Sequence, residues 1–517
     1  MSVEPQRFAG TDPKFFTVQK SGGINTRQVR ASIKDEQFSW IENMQPVDDG
    51  TYRALFSNGS AVYSAGGGLT IVYLYNFNAV AVSHVIIFLS DGSAVDYNIN
   101  SNSTSTVASA GTFWGGGSAT LPACAQVGQG GVVIVSTVGA NAYWAWDGTT
   151  LSSPGGAVPG WLGTGTMPSG ISGTGVEIFQ SRVWIINGIK LTWSSPGNGG
   201  DFNTANGSGS AFSTDAFVRR QYTAIKQANG FLYLFGDSSV NVISNVQTGG
   251  SPVVTTFNNQ NVDPQSGCGW FNGVQTFSRG LIFSNYEGVF ALFGGSSQNV
   301  GEDLDGLFNT TVQLSVSNKN PSAQPSTAVA SINSVTTFML LWPVQAPFDM
   351  STRNALLMWD GKKWYIGSQN VALTFINSRQ ILSILQTWGT DGTNLFQLFS
   401  TASTSNRKYW QTKLWSGAGP QIAKQAMRLY TSAIDNTGAG FNITSTLDTI
   451  SEASLTPGAQ AGTIAAGATT STYISGSNSV NISGRGNYMG LSNQTFGSDF
   501  TLLSQQLLYQ EQSPIGG

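Results

Sequence analysis

The chain has 517 residues, enough for two or more cores, or for one large β architecture with a smaller companion, because a single core stops growing at roughly 250 to 300 residues. Charged residues are only 10% against 40% hydrophobic, with 63 Gly, while 14 Trp, 15 Tyr and 29 Phe exclude wholesale disorder and leave a turn-rich all-β protein. A net charge of −3, with no Lys or Arg between Arg53 and Arg182, argues against a protein that grips phosphates along a basic stripe.

The start, MSVEPQRFAGTDPKFF, has no basic region leading into an apolar run, so no signal peptide is expected and synthesis in a cytoplasm follows. Positions 1–56 are more charged than what comes next and contain GGINTRQVRASIKDEQFSWIENMQP. They read as an arm, or as a piece of a second domain joining the C-terminal part. Positions 69–89, LTIVYLYNFNAVAVSHVIIFL, lack Asp, Glu, Lys and Arg and are long enough to cross a bilayer as a helix. Asn76, Asn78, Ser83 and His84 interrupt them, however, and the Val, Ile, Tyr and Phe content favours two strands joined at the Asn-Phe-Asn turn, with membrane contact as the alternative.

From there a unit recurs: a small polar pair, an apolar strand, a turn of the Asp-Gly kind, then an aromatic strand. It starts at Ser83, Gly131, Ser181, Asn229 and Ser278, a spacing of roughly 50 residues, which is the period of β-propeller blades. The interval from Ser278 to Ser378 has room for one more unit, found as VTTFMLLWP from Val335 and NALLMWDGKKWYIG from Asn354 with an insertion between them. In the unit SRVWIINGIKLTW, Asn187-Gly188 predicts a type I′ hairpin turn flanked by strands carrying Ile185, Ile186 and Trp193. Arg182, Arg279 and Arg379 each follow a serine and are expected to share one structural position between blades.

The fold expected is therefore all-β: a propeller of roughly seven blade-like repeats over 57–405, with a smaller antiparallel β-domain over 406–517. That domain opens with NRKYWQTKLWSGAGPQIAKQAMRLY, in which Arg407, Lys408, Trp410, Lys413, Trp415, Lys424 and Arg428 are the candidate contacts to another subunit or an adaptor, against the alternative of an exposed, charged strand edge. Strand-like runs follow at GFNITSTL, NYMGLSN and DFTLLSQQLLYQ, and the Gly/Ala/Thr/Ser stretch over 457–479 is expected as one long mobile or partner-bound loop.

Residues for chemistry are few. His84 is the single histidine and reads as a strand residue, and no G-x-S-x-G elbow accompanies it. The acids Asp91, Asp147, Glu287, Asp360 and Asp391 stand in Asp-Gly or similar turns, where a carboxylate serves its own backbone; two of them flanking a sugar bond would be the hydrolase alternative. TDGTNLF at Thr390 is only an incomplete match to the Asp-box of sialidase-like propellers. Glycine clusters such as GQGG lack the Lys-Ser/Thr of a phosphate loop. Cys124 and Cys268 lie far apart with no metal or redox spacing and are expected as free, partly buried thiols; neither a cofactor nor a metal is expected. Trp114, Trp144, Trp146, Trp161 and Trp270 are candidate platforms for sugar rings, although blade packing accounts for most tryptophans in such folds.

Three stretches carry a resemblance. GGINTRQVRASIKDEQFSWIENMQPVDDGTYRAL, FQSRVWIINGIKLTWSSPGNGGDFNTA and GCGWFNGVQTFSRGLIFSNYEGVFALFG, with the closing GRGNYMGLSNQTFGSDFTLLSQQLLY, are similar to the tail nozzle, or tail tubular protein B, family of short-tailed bacteriophages and its tail stabilisation proteins. The resemblance implies a structural, non-enzymatic virion tail protein assembled in the host cytoplasm. It implies a homohexameric ring below the portal, held by the head–tail adaptor protein, enclosing a channel through which DNA passes unbound during retention and ejection. Tail fibres and, at the tip, the host envelope are the further partners. The alternative is a receptor-binding propeller that holds host glycan.

Overall fold

The computed structural model describes residues 12–18, 22–48, 50–114, 121–213, 221–293, 295–308, 325–347, 351–381, 384–438, 440–450, 464–473 and 475–512. Among them, six separate four-stranded antiparallel sheets and the first four strands of a nine-stranded sheet form seven blades. Blade one comprises Ile71–Ala79, Val82–Leu89, Ala94–Asn98 and Ser103–Ala108; blade two, Ala123–Val127, Gly131–Val135, Tyr143–Trp146 and Leu151–Ser152. Blade three comprises Gly175–Phe179, Arg182–Asn187, Lys190–Trp193 and Gly209–Phe212; blade four, Tyr222–Ala228, Phe231–Gly236, Val240–Gly249 and Val254–Asp263. Blade five comprises Val274–Phe277, Gly280–Ser284, Val289–Leu292 and Ser297–Asn299; blade six, Thr327–Ile332, Val335–Gln345, Thr352–Trp359 and Trp364–Gly367. Blade seven has Phe375–Ile381, Ile384–Thr390 and Asn394–Gln397, and its fourth strand is Ala61–Ser64 from before blade one. That early strand closes the ring, and the first strand of each blade packs beside the first strand of the next.

In blades one to five the recurring unit of the sequence is the second and third strand, and its start marks the turn that precedes them; in blade six it runs on into the fourth strand, and in blade seven Ser378 lies inside the first strand. The turn before the second strand bends back on two residues with positive φ: Val80-Ala81, Gln180-Ser181, Asn229-Gly230 and Asn333-Ser334. Such a turn matches the right-handed twist of the strands it joins, which is why polar pairs and glycine recur there. Two expected turns move. The hairpin over 69–89 is present, but it reverses at Val80-Ala81, leaving Asn76, Phe77 and Asn78 inside a strand. At Asn187-Gly188 only Gly188 has positive φ, so the reversal is Gly188-Ile189, with glycine in the first central position as in a type II′ turn.

Each blade buries its faces against its neighbours. One core cluster joins Phe375, Trp388 and Leu395 of blade seven to blade one and to Cys124 and Trp144 of blade two. Others lie between blades two and three, three and four, and four and five. No small sheet here has a core of its own, so burial requires the stack. Both cysteines are free and fully buried.

The remaining strands form a β-sandwich. One sheet contains Met44–Asp48, Thr51–Ala54, Phe500–Glu511, Lys424–Asp435 and Ser475–Gly486, with Lys14–Val18 also paired to Phe500–Glu511. The other continues the nine-stranded sheet: beyond Trp364–Gly367 of blade six lie Phe38–Glu42, Lys408–Thr412, Tyr488–Thr495, Phe441–Ile450 and Ile464–Tyr473. Thus strands from 14–54 pair with strands from 408–511, and one sheet runs from propeller into sandwich. The stretch expected as a long loop carries the strands Ile464–Tyr473 and Ser475–Gly486; its part over 457–463 lies outside the described residues. The sandwich core includes Trp40, Trp410, Leu447, Leu491 and Leu507, and a buried amide pair ties its layers. There Gln505 Nε2 donates to Asn493 Oδ1 at 2.8 Å, and Trp410 Nε1 donates to Gln505 Oε1 at 3.2 Å.

Candidate functional site

The seven residues expected to make contacts divide by burial. Lys408 and Trp410 alternate inward on one strand: the Lys408 ammonium donates to the Ser403 carbonyl at 2.9 Å, and Trp410 serves the amide pair above. Lys424 is fully buried and donates to the carbonyls of Gly419, Ile422 and Asn487 at 2.7, 2.6 and 2.8 Å. Trp415 is half-buried, stacked on Phe16 at 5.3 Å and edge-on to Tyr509 at 4.5 Å. Lys408, Trp410 and Lys424 therefore have no surface to offer a docked partner, a correction to the sequence reading. Its physical cause is that a lysine stem packs in a core when carbonyls receive its ammonium. Burial lowers the Lys408 ammonium from 10.5 to about 8, against the opposing pull of Asp499, and likewise lowers Lys424. Arg407 and Lys413 are half-buried and Arg428 is exposed: Lys413 pairs with Asp35 at 2.8 Å, and Arg428 Nε donates to Asn481 Oδ1 at 3.2 Å.

Around Arg428 lies a surface that charge patterning alone does not single out. Alternation along Lys424–Asp435 and Phe500–Glu511 points Leu429, Thr431, Leu502, Gln505 and Leu507 inward, and Met427, Tyr430, Ile434, Leu503 and Leu508 outward. Phe15 adds to this outer face opposite Leu508, its ring 5.9 Å from Tyr430, and is 54% exposed. Ile434, Met427 and Leu503 are also exposed.

The arginines do not share one position. Arg182 opens the second strand of blade three, fully buried; its guanidinium donates to the carbonyls of Ser194 and Gly207 at 2.6 and 3.0 Å and to the hydroxyls of Thr248 and Thr255 in blade four. Arg279 lies in a turn and is exposed, and Arg379 lies within the first strand of blade seven, reaching the Asn76 carbonyl of blade one at 3.5 Å. Only the serine before them is shared. Two ionic links went unread in the sequence. Arg353 of blade six grips Glu42 at 2.7 and 2.8 Å where the two parts join, and Arg30 meets Asp448 at 2.6 Å with both side chains buried.

The groups considered for chemistry are placed as follows. His84 is buried, its Nδ1 2.7 Å from Asp96 Oδ2 and its ring stacked on Phe77 at 4.8 Å. Burial pushes the Asp96 carboxyl up while His84 pulls it down. Asp91, Asp147, Asp360 and Asp391 each accept backbone N–H groups two or three residues ahead, at 2.7 to 3.0 Å. The hydroxyl of Ser93 holds Asp91 below the ordinary carboxylate range. In the fifth such turn Asn285, not Glu287, takes that role, accepting from the Glu287 N–H at 2.8 Å. Among the five tryptophans, Trp114, Trp144, Trp146 and Trp270 are buried between blades, and Trp161 is half-exposed. No cluster of His, Cys, Asp or Glu among the described residues is arranged to hold a metal, and no helix among them is long and apolar enough to cross a membrane.

Along the propeller axis the first strands enclose a cavity of about 70 Å³ lined by Tyr75, Glu177, Lys226, Gln275 and Asn377, with Lys226 paired to Glu177 at 3.5 Å. It has room for a few waters.

No family model matches the sequence, and no curated protein matches it. Among solved structures the chain is similar to the WD40 repeats of RRP9, at 10% identity and TM-score 0.39, covering 67% of this chain and 99% of that one. It is similar to BBS1N in complex with ARL6DN, at 8% identity and TM-score 0.37, covering 67% and 95%. It is also similar to the SapL1 lectin in complex with alpha methyl fucoside, at 10% identity and TM-score 0.30, covering 68% and 95%. At these TM-scores the likenesses carry no argument, and the propeller rests on its strand order.

Proposed function

We propose that this chain is a structural subunit of a short-tailed phage tail, a copy in the ring-shaped nozzle below portal and adaptor, with no chemistry of its own. The observation that carries the reading is the outward apolar face of the sandwich, with Phe15, Met427, Ile434 and Leu503 exposed around Arg428. An exposed apolar sheet face of this kind is covered cheaply by an identical neighbour in a cyclic assembly. The continuous sheet from blade six supports the same reading, because it makes propeller and sandwich one lever that transmits load. The cavity inside the propeller has room for only a few waters. Any DNA channel must then run between copies, on the ring axis.

The reading as a glycan-binding propeller loses most of its platforms, since four of the five tryptophans are buried between blades. The deciding experiment is native mass spectrometry with negative-stain class averages of the purified protein, alone and mixed with its adaptor. Rings with a central hole in either condition are expected; a monomer in both sinks the nozzle reading.

A further inference from the structure

We propose that a crevice at the propeller-proximal end of the sandwich binds a neutral saccharide, with one pyranose residue seated against Phe496. The crevice has a volume of about 350 Å³ and is lined by Thr404, Asn442, Thr444, Gln494, Phe496 and Ser498. That is the size of a site for one small ligand unit. Thr444 and Gln494 stand directly opposite on neighbouring strands, and Phe496 follows on the same outward side, 51% exposed. Among the described residues the side chains of Thr404, Gln494 and Ser498 make no hydrogen bond within the protein.

The chemistry of the lining selects the ligand. It offers the Phe496 ring, the Gln494 amide and the Thr404 and Ser498 hydroxyls, and no Lys or Arg. Its one carboxylate, Asp435, is already engaged: Oδ1 accepts the Thr437 N–H at 2.9 Å and the Thr437 hydroxyl at 2.7 Å, and Oδ2 accepts the Gly440 N–H at 2.6 Å. Phosphates and acidic sugars find no cation in the lining, and Arg53 at the rim is already paired with Asp499. A pyranose fits the remaining pattern, since its C–H face covers an aromatic ring while its hydroxyls pair with an amide that both donates and accepts. A peptide adding as a strand has no edge to use, because Tyr488–Thr495 is paired on both sides, to Lys408–Thr412 and to Phe441–Ile450.

The site is also held in shape before any ligand arrives. Asn436 donates to Asp499 through its N–H at 3.1 Å and its amide at 2.8 Å, and Arg53 pairs with the same Asp499 at 3.1 Å, which locks the two loops of the rim together. Behind Phe496, Gly497 donates to Thr495 Oγ1 at 3.0 Å and lies so close to the Phe441 ring that a Cβ would approach it within 3.0 Å. Phe441 in turn stacks on Phe500 at 4.4 Å. Preorganisation of this kind reduces the ordering cost of binding.

The test is saturation-transfer NMR on the full chain with the methyl glycosides of glucose, galactose, mannose and N-acetylglucosamine, and with N-acetylneuraminic acid as the anionic comparison. Transfer to the ring protons of at least one neutral glycoside is expected. Phe496→Ala, at an exposed position, should abolish it with the unfolding midpoint unchanged, and Gln494→Ala should weaken it about tenfold, the worth of a lost hydrogen-bonding group. No transfer to any neutral glycoside, transfer undiminished in Phe496→Ala, transfer to N-acetylneuraminic acid alone, or Phe496-dependent capture of extended peptides in place of sugars would each overturn the proposal. It does not depend on ring assembly, so the two readings fail separately.

Discussion

Val80 occupies the first central position of the tightest kind of hairpin turn, with φ of 46°, and its side chain is 79% exposed. A β-branched residue there is strained and has no packing to compensate. Val80→Asn with Ala81→Gly should therefore stabilise the protein by about 1 kcal/mol, read as a higher urea midpoint at unchanged slope. Lys408 makes the opposite kind of point, a cost hidden inside the sandwich. Its folded-state value of about 8 lies below the ordinary 10.5, so between these pH values the unfolded chain holds a proton that the folded one has released, and stability rises with pH. Below about 8 both states are charged and the full cost of burying the ammonium is present. Lys408→Met removes that dependence, and its advantage over the parent should narrow by about 3 kcal/mol from neutral pH to above 10.5. Cys268, pushed up to about 12 by burial, acts in the other direction at alkaline pH and cancels when variant and parent are subtracted. An unchanged gap across the range would show that Lys408 is solvated.

At the scale of elements, stability is a property of pairs of blades. Arg182 belongs to blade three but spends half its donors on Thr248 and Thr255 in blade four, which anchors the long outer hairpin of that blade. Arg182→Met should cost about 3 kcal/mol, because the buried Ser194 carbonyl loses its donor and the guanidinium link from blade three to Thr248 and Thr255 is cut, although the Gly207 carbonyl keeps the Thr255 hydroxyl. Arg182→Lys should recover little of it, since an ammonium cannot span carbonyls and hydroxyls on two sheets as a planar fork does. Hydrogen exchange gives a sharper reading than a melt: protection should fall first in 240–263 and stay high in blades one and two. Uniform loss around the ring would mean that the blades do not open separately.

For the whole molecule, the outward face of the sandwich decides between a free particle and a subunit. Ile434→Lys combined with Phe15→Glu places charges on a sheet face whose inner side is untouched, so the fold should persist while ring assembly, alone or on the adaptor, is lost. The double variant and the parent are compared by native mass. If both form rings equally well, the contacts lie elsewhere, and Arg407, Lys413 and the outer hairpin of blade four become the surfaces to alter.

Strand alternation and turn chemistry are local, and they carry the reading of the chain as a propeller: apolar runs at roughly 50-residue intervals mark blades one to five, and the double interval that follows leaves room for blade six. Even so, outer strands such as Gly209–Phe212 and Ser297–Asn299 did not stand out, because they are short or exposed and carry little apolar signal. Which segments pair across hundreds of residues has no local signature. Ala61–Ser64 closing blade seven, Lys14–Val18 lying against Phe500–Glu511, and Phe38–Glu42 bridging blade six to the sandwich were decided by tertiary structure. The same holds for the candidate contacts. A lysine near tryptophans reads alike whether water or three backbone carbonyls surround its ammonium, and only the fold placed Lys424 in a cage, Arg428 at the surface and Phe496 beside a crevice.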